Sequence, residues 1–147
     1  MSDRNNIENR HILLVEDNPD DVELTIMALE QSGILNQVKV ARDGEEALRM
    51  LLGTGSQEHS KLPAVVLLDL NMPKINGLEV LKEIRSNERT RRLPVVILTS
   101  SGEERDIVQG YDLGANSYIR KPVDFENFVH AMKQLGLYWL VLNVSGV

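Results

Sequence analysis

Pro63-Ala64-Val65-Val66-Leu67-Leu68-Asp69-Leu70-Asn71-Met72-Pro73 is the stretch whose reading decides the fold. Ala64 to Leu68 are small or apolar without a polar break, the pattern of a strand covered on both faces in the middle of a parallel sheet. Asp69 closes the run and a Pro-Lys-Ile-Asn-Gly turn follows. A carboxylate at the carboxyl end of a central strand stands where open α/β sheets carry their chemistry. A lone Asp there can equally well do no more than accept backbone hydrogen bonds, so the flanking sequence has to decide.

Toward the N-terminus, His11-Ile12-Leu13-Leu14-Val15 is a second buried run, and it ends in Glu16-Asp17. Asn18-Pro19 reads as an N-cap with proline in the first turn, Val22, Thr25, Ile26 and Leu29 keep helical spacing, and Gly33 stops that helix. Gln37 to Ala41 alternates as an edge strand does. Asp43 and Glu46 have the spacing of a capping box, with Ala47, Leu48, Leu51 and Leu52 as the inner face of the helix they start. The polar loop from Gly53 to Leu62 reads as an insertion on the face away from the strand ends.

Toward the C-terminus, Asn76 and Glu79 form another capping box for a helix carrying Leu78, Leu81 and Ile84. Pro94 to Thr99 is a fourth buried strand. Ser101 and Glu104 cap a further helix with Ile107, Val108 and Tyr111 inward, ended by Gly114. Asn116 to Arg120 is a fifth strand, leading to Lys121-Pro122. The last helix starts near Asp124 and carries Phe125, Phe128, Val129, Met132 and Leu135. Strand and helix alternate five times with short connections, which implies an α/β fold: one parallel sheet, doubly wound, with helices on both faces.

The chain has 147 residues, 42% hydrophobic and 26% charged, as expected for one soluble domain. Residues 1–10 read as a polar tail, 11–135 as the core, and 136–147 as an extension of the last helix. A net charge of −6 argues against a nucleic-acid partner, which needs a basic surface. Without cysteine there is neither a disulfide framework nor a thiolate metal site. The polar start lacks the apolar core of a signal peptide, and no run approaches the roughly 20 apolar residues of a membrane span. A cytoplasmic protein with no membrane contact is the expectation.

In a parallel sheet all carboxyl ends meet at one edge. Glu16-Asp17, Asp69, Thr99 and Lys121 therefore converge from four strands. Like charges at roughly 4 Å repel by about 1 to 4 kcal/mol, so the carboxyl pKa values should rise or a cation should sit between them. Oxygen ligands without His or Cys suit a hard ion, Mg²⁺ in particular. A solvated acidic rim with Lys121 as an ordinary ion-pair partner is the plainer account. His11, His59 and His130 have no partners at ligand spacing, and Gly53-Thr54-Gly55 lacks the lysine of a phosphate-binding loop.

Val15-Glu16-Asp17-Asn18, Leu68-Asp69-Leu70-Asn71-Met72-Pro73 with Gly77, Val96-Ile97-Leu98-Thr99-Ser100, and Gly114 to Pro122 follow one another in the order seen in a known family. The chain resembles the receiver domain of two-component response regulators over about residues 11–135. The resemblance implies a flavodoxin-like (βα)5 fold with strand order 2-1-3-4-5. It implies that Asp69 is the phosphoacceptor, and that Asp17, Asp69 and the backbone carbonyl of Asn71 ligate Mg²⁺ while Glu16 acts through a metal-bound water. Thr99, Lys121 and the small Ser100 would attend the phosphoryl group, Tyr118 would rotate with Thr99 as a switch, and Lys121-Pro122 would be a cis peptide.

The longer loop at Gly53–Leu62, the apolar end around Leu137-Tyr138-Trp139-Leu140, and Asp69-Leu70-Asn71-Met72-Pro73-Lys74 resemble cyanobacterial phytochrome response regulators. That implies a phytochrome-type histidine kinase as partner. Nothing after the last helix reads as an output domain, so a surface is expected to carry the output. Residues 137–142 are apolar on every side of a continued helix, which implies burial all round and hence a homodimer with Tyr138, Trp139 and Leu140 at its interface. Two rival readings are an enzyme that turns over phosphate esters through an aspartyl phosphate and an interaction module that works without phosphorylation. Steady ester turnover would favour the first, and failure to accept phosphate the second.

Overall fold

The computed structural model describes residues 10–34, 36–53, 62–70, 72, 75–99 and 112–137. The apolar runs become strands β1 (Ile12–Val15), β2 (Val38–Ala41), β3 (Val65–Asp69), β4 (Val95–Thr99) and β5 (Ser117–Arg120). The described helices are α1 (Pro19–Gln31), α2 (Gly44–Leu52), α3 (Gly77–Ser86) and α4 (Phe125–Gln134). The strands form one sheet in the order β2-β1-β3-β4-β5, and every pairing is parallel. This is the flavodoxin-like order expected from the sequence.

Every residue of β1, β3 and β4 is buried, because helices cover both sheet faces. On one face Ile12, Leu14, Val65, Leu67, Val96 and Leu98 pack against Leu29 of α1 and Phe128 and Met132 of α4. On the other, Leu13, Val15, Val66, Leu68 and Ile97 meet Ala47 and Leu51 of α2 and Val80, Leu81 and Ile84 of α3. The carboxyl edge of β1, β3 and β4 is thus held by two separate hydrophobic layers.

Helix starts follow their capping residues closely. Asn18 Oδ1 accepts from the amides of Asp20 and Asp21, with Pro19 in the first turn of α1. Asn76 and Glu79 form the expected reciprocal box at α3. Asp43 caps α2, but the Glu46 carboxylate accepts from the amide of Arg42, one residue beyond the Asp43 amide that a capping box would use.

The last helix departs from the sequence reading in two ways. Phe125 is 42% exposed, and Phe128, Ala131 and Met132 form the buried stripe, because Phe125 lies in the first turn, ahead of the stripe that meets the sheet. The helix also ends at Gln134, short of Gly136 and Leu137, where the sequence reading extended it. Gly136 takes φ +74°, its amide bonds to Lys133 C=O, and the Leu137 amide reaches back to Met132 C=O. Paired bonds of this kind close a helix at a left-handed glycine. The loop at 54–61, the helix expected from Ser101 to Tyr111, and Tyr138, Trp139 and Leu140 lie outside the described residues.

Gly77 opens α3 directly beneath the end of β3. A methyl there would overlap the Asp69 carbonyl oxygen and lie 2.7 Å from Leu70 Cα. Both neighbours are backbone of the central strand, so neither can swing aside. Gly77→Ala is expected to destabilise the fold by about 1 to 3 kcal/mol through this overpacking. Urea unfolding of the variant beside the wild type would measure the loss, and an unchanged midpoint would contradict the close approach.

His11, at the start of β1, has its pKa lowered to about 4, first by burial and then by the charges of Lys39 and Arg10. The native state therefore binds fewer protons than the unfolded chain between about pH 4 and 6.5. The His11 contribution to stability is intact above that window and is lost as pH falls through it. In His11→Gln the drop in urea midpoint from pH 7 to pH 5 should be smaller than in the wild type. An equal drop would mean that His11 titrates normally.

Candidate functional site

The carboxyl edge gathers residues from β1, β3, β4 and β5. Glu16 and Asp17 follow directly on β1, and the Glu16 amide bonds to Ala41 C=O of β2. Asp69 is the last residue of β3 and is 1% exposed. Thr99 ends β4 and is buried, and its carbonyl accepts from the Lys121 amide at 2.7 Å. That bond fixes Lys121 just beyond β5, and the Lys121–Pro122 peptide is cis.

Lys121 Nζ lies 2.8 Å from Glu16 Oε1, 3.1 Å from Asp69 Oδ1 and 3.1 Å from Asp21 Oδ2. The first two pairs are almost fully buried, while the Asp21 side chain is 30% exposed at the mouth of the site. Carboxylate oxygens of Glu16, Asp17 and Asp69 all lie within 4.8 Å of one another. Of the expected site residues, the structure therefore brings together Glu16, Asp17, Asp69 and Lys121. Thr99 is joined to Lys121 through the backbone.

Tyr118 stands opposite Ile97 in the β4–β5 register, on the same sheet face as Thr99, and is 42% exposed. Asn71 and Ser100 lie outside the described residues. Sequence reading missed Asp21. Its position in the first turn of the helix that Asn18 caps, just beyond β1, was the only trace of it in the sequence.

Electrostatics follow from this crowding. Burial pushes the Glu16 pKa up to about 7 and the Asp69 charge adds to the rise, while the Lys121 ammonium pulls the other way. Burial alone would lower the pKa of Lys121, but Glu16, Asp69 and Asp21 outweigh it and drive it up. Glu16 Oε1 is fully buried and finds no hydrogen bond of good geometry among the described residues, despite the nearby ammonium. A buried oxygen with spare acceptor capacity beside two further carboxylates suits a hard divalent cation and its waters. The donor set fits Mg²⁺ on these grounds.

Residues 12–133 match the response regulator receiver domain. The chain belongs to this family. Receiver domains of single-domain regulators are phosphoacceptor switches and not classical enzymes. Among solved structures, the bacteriophytochrome response regulator AtBRR is 53% identical, with a TM-score of 0.79, over 88% of this chain and 94% of that one. The phosphorylated cyanobacterial phytochrome response regulator RcpA is 40% identical, with a TM-score of 0.75, over 91% and 96%. Response regulator Rcp1 of Synechocystis is 39% identical over 95% of each chain. A solved Mn(2+)-bound form of Rcp1 superposes with a TM-score of 0.72 at 38% identity, over 89% of this chain and 94% of that one. Among the described residues no helix is long and apolar enough to cross a membrane.

Proposed function

We propose that this protein is a single-domain response regulator whose Asp69 accepts a phosphoryl group from a phytochrome-type histidine kinase. The observation that carries the reading is the cluster itself: Glu16, Asp17 and Asp69 oxygens within 4.8 Å, with the Lys121 ammonium 3.1 Å from Asp69. An Asp69 oxygen attacks phosphorus in line, the bond from phosphorus to the kinase histidine nitrogen breaks, and the imidazole leaves. Asp17 and Asp69, with the Asn71 backbone carbonyl, are the residues that would hold Mg²⁺, and Glu16 would contribute through a water. An ion held there would offset negative charge on the transferring group.

Lys121 pairs with a phosphoryl oxygen, and Ser100 leaves room beside it. Thr99 hydrogen-bonds the new acceptor oxygens, and Tyr118 takes up the space that Thr99 vacates. The kinase class rests on the likeness to AtBRR, RcpA and Rcp1, whose names tie the first two to phytochromes. Residues 11–135 serve as the receiver core of a cytoplasmic homodimer that meets through Tyr138, Trp139 and Leu140. Sedimentation at tens of micromolar tests the dimer, and a monomer with and without phosphate mimic overturns it.

Phosphotransfer decides the main reading. An autophosphorylated phytochrome-type kinase should pass its label to this protein faster than histidine kinases of other sensor classes do. Equal rates from all would remove the phytochrome assignment, and no transfer from any would remove the phosphoacceptor.

A further inference from the structure

Asp21 is the carboxylate at this site that the metal cluster does not use. Its Oδ2 accepts a hydrogen bond from Lys121 Nζ at 3.1 Å, one hundred residues away in sequence. Its backbone is fixed from both sides. The amide donates to Asn18 Oδ1 at 3.1 Å, and the carbonyl accepts from the Thr25 hydroxyl at 2.8 Å. The side chain is 30% exposed against 1% for Glu16 and Asp69, so it sits where an anionic group would enter.

An ammonium has three N–H donors, and here three carboxylates stand around it. Glu16 is buried beneath it. Asp69 is the group to be modified. Asp21 alone among the three can give up its bond to water. A phosphoryl oxygen arriving on Asp69 therefore draws on the donor that Asp21 holds.

We propose that Asp21 is a positioning residue that acts through Lys121, competing with the phosphoryl group for the ammonium and so weakening phosphoryl retention. The inference rests on the reading of Asp69 as phosphoacceptor. In the resting protein Asp21 and Asp69 hold Lys121 between them. In the phosphorylated protein the Asp21 charge stays nearby and pulls the ammonium back toward α1.

Beryllium fluoride, a phosphoryl mimic, tests this when titrated at saturating Mg²⁺ and followed by fluorine NMR. Asp21→Asn should bind about threefold to tenfold more tightly than wild type, the range expected when Lys121 no longer has to give up one partly exposed hydrogen bond. Asp21→Glu, which restores the charge, should return toward the wild-type midpoint. In a Lys121→Met background the gain from Asp21→Asn should shrink. An equal gain there would overturn action through Lys121. Should Lys121→Met fail to fold, the Asp21 series still decides: equal midpoints for wild type, Asn and Glu overturn the competition, as does weaker binding by Asn. Wild type that binds no beryllium fluoride instead defeats the phosphoacceptor reading, and this inference with it.

Discussion

Asp69→Asn is expected to end phosphoryl uptake, lowering labelling by acetyl phosphate and Mg²⁺ by about a thousandfold or more. An amide oxygen carries no negative charge and is a poor nucleophile, so the covalent step loses the group that forms the bond. Other carboxylates do not substitute. Glu16 is buried and held against Lys121, and Asp21 lies at the rim outside the three-carboxylate cluster. The fold should survive, because Asn is nearly isosteric and Lys121 keeps Glu16 and Asp21 as partners. Removing one of three crowded like charges should even raise the melting temperature of the metal-free protein. Intact mass after acetyl phosphate treatment reads the result: one added phosphoryl group on wild type and none on the variant. Equal labelling of both would place the acceptor elsewhere.

The sheet was legible because its strands announce themselves. Val65 to Leu68 and Val95 to Leu98 are unbroken apolar runs, and such runs are stable as strands only when both faces are covered. The site was legible for the same reason, since parallel strands bring Glu16, Asp17, Asp69, Thr99 and Lys121 to one edge whatever their distance in sequence. What the sequence concealed were local contests between equally good signals. Phe125 looked like part of an inward stripe, but it belongs to the first turn, and the stripe that meets the sheet begins at Phe128. The apolar residues beyond Leu135 read as more helix, yet Gly136 closes the helix through two backbone bonds. Glu46 had the right spacing for a box and bonded one residue further out, to the Arg42 amide. Asp21 was hidden by its setting: an acidic residue in a first helical turn already has a sufficient reason to be there, favouring the positive end of the helix dipole. Its tertiary partner lies beyond any local pattern.

Lys121→Ala is expected to be the most damaging single change to the metal-free protein. Glu16 and Asp69 are each 1% exposed, and Lys121 is the cation that offsets them among the described residues. Taking one partner from a buried ion pair leaves the other charge desolvated and uncompensated, at about 3 to 5 kcal/mol. Asp21 loses a bond as well, but at 30% exposure it rehydrates and adds little. The loss should depend on pH in a definite direction. Glu16 already has its pKa raised to about 7 with the ammonium in place, and without it the pKa must rise further. A carboxyl whose folded pKa lies above its unfolded value favours the fold while protonated and loses that benefit as pH climbs through the folded pKa. The variant should therefore be closest to wild type near pH 5 and furthest below it near pH 8. A divalent cation among the same carboxylates replaces the missing positive charge, so Mg²⁺ should raise the melting temperature of Lys121→Ala more than that of wild type. Thermal melts at pH 5 and pH 8, with and without Mg²⁺, test all three statements. A variant that melts with wild type at pH 8 in the absence of metal would mean that the ammonium is not what holds these carboxylates together.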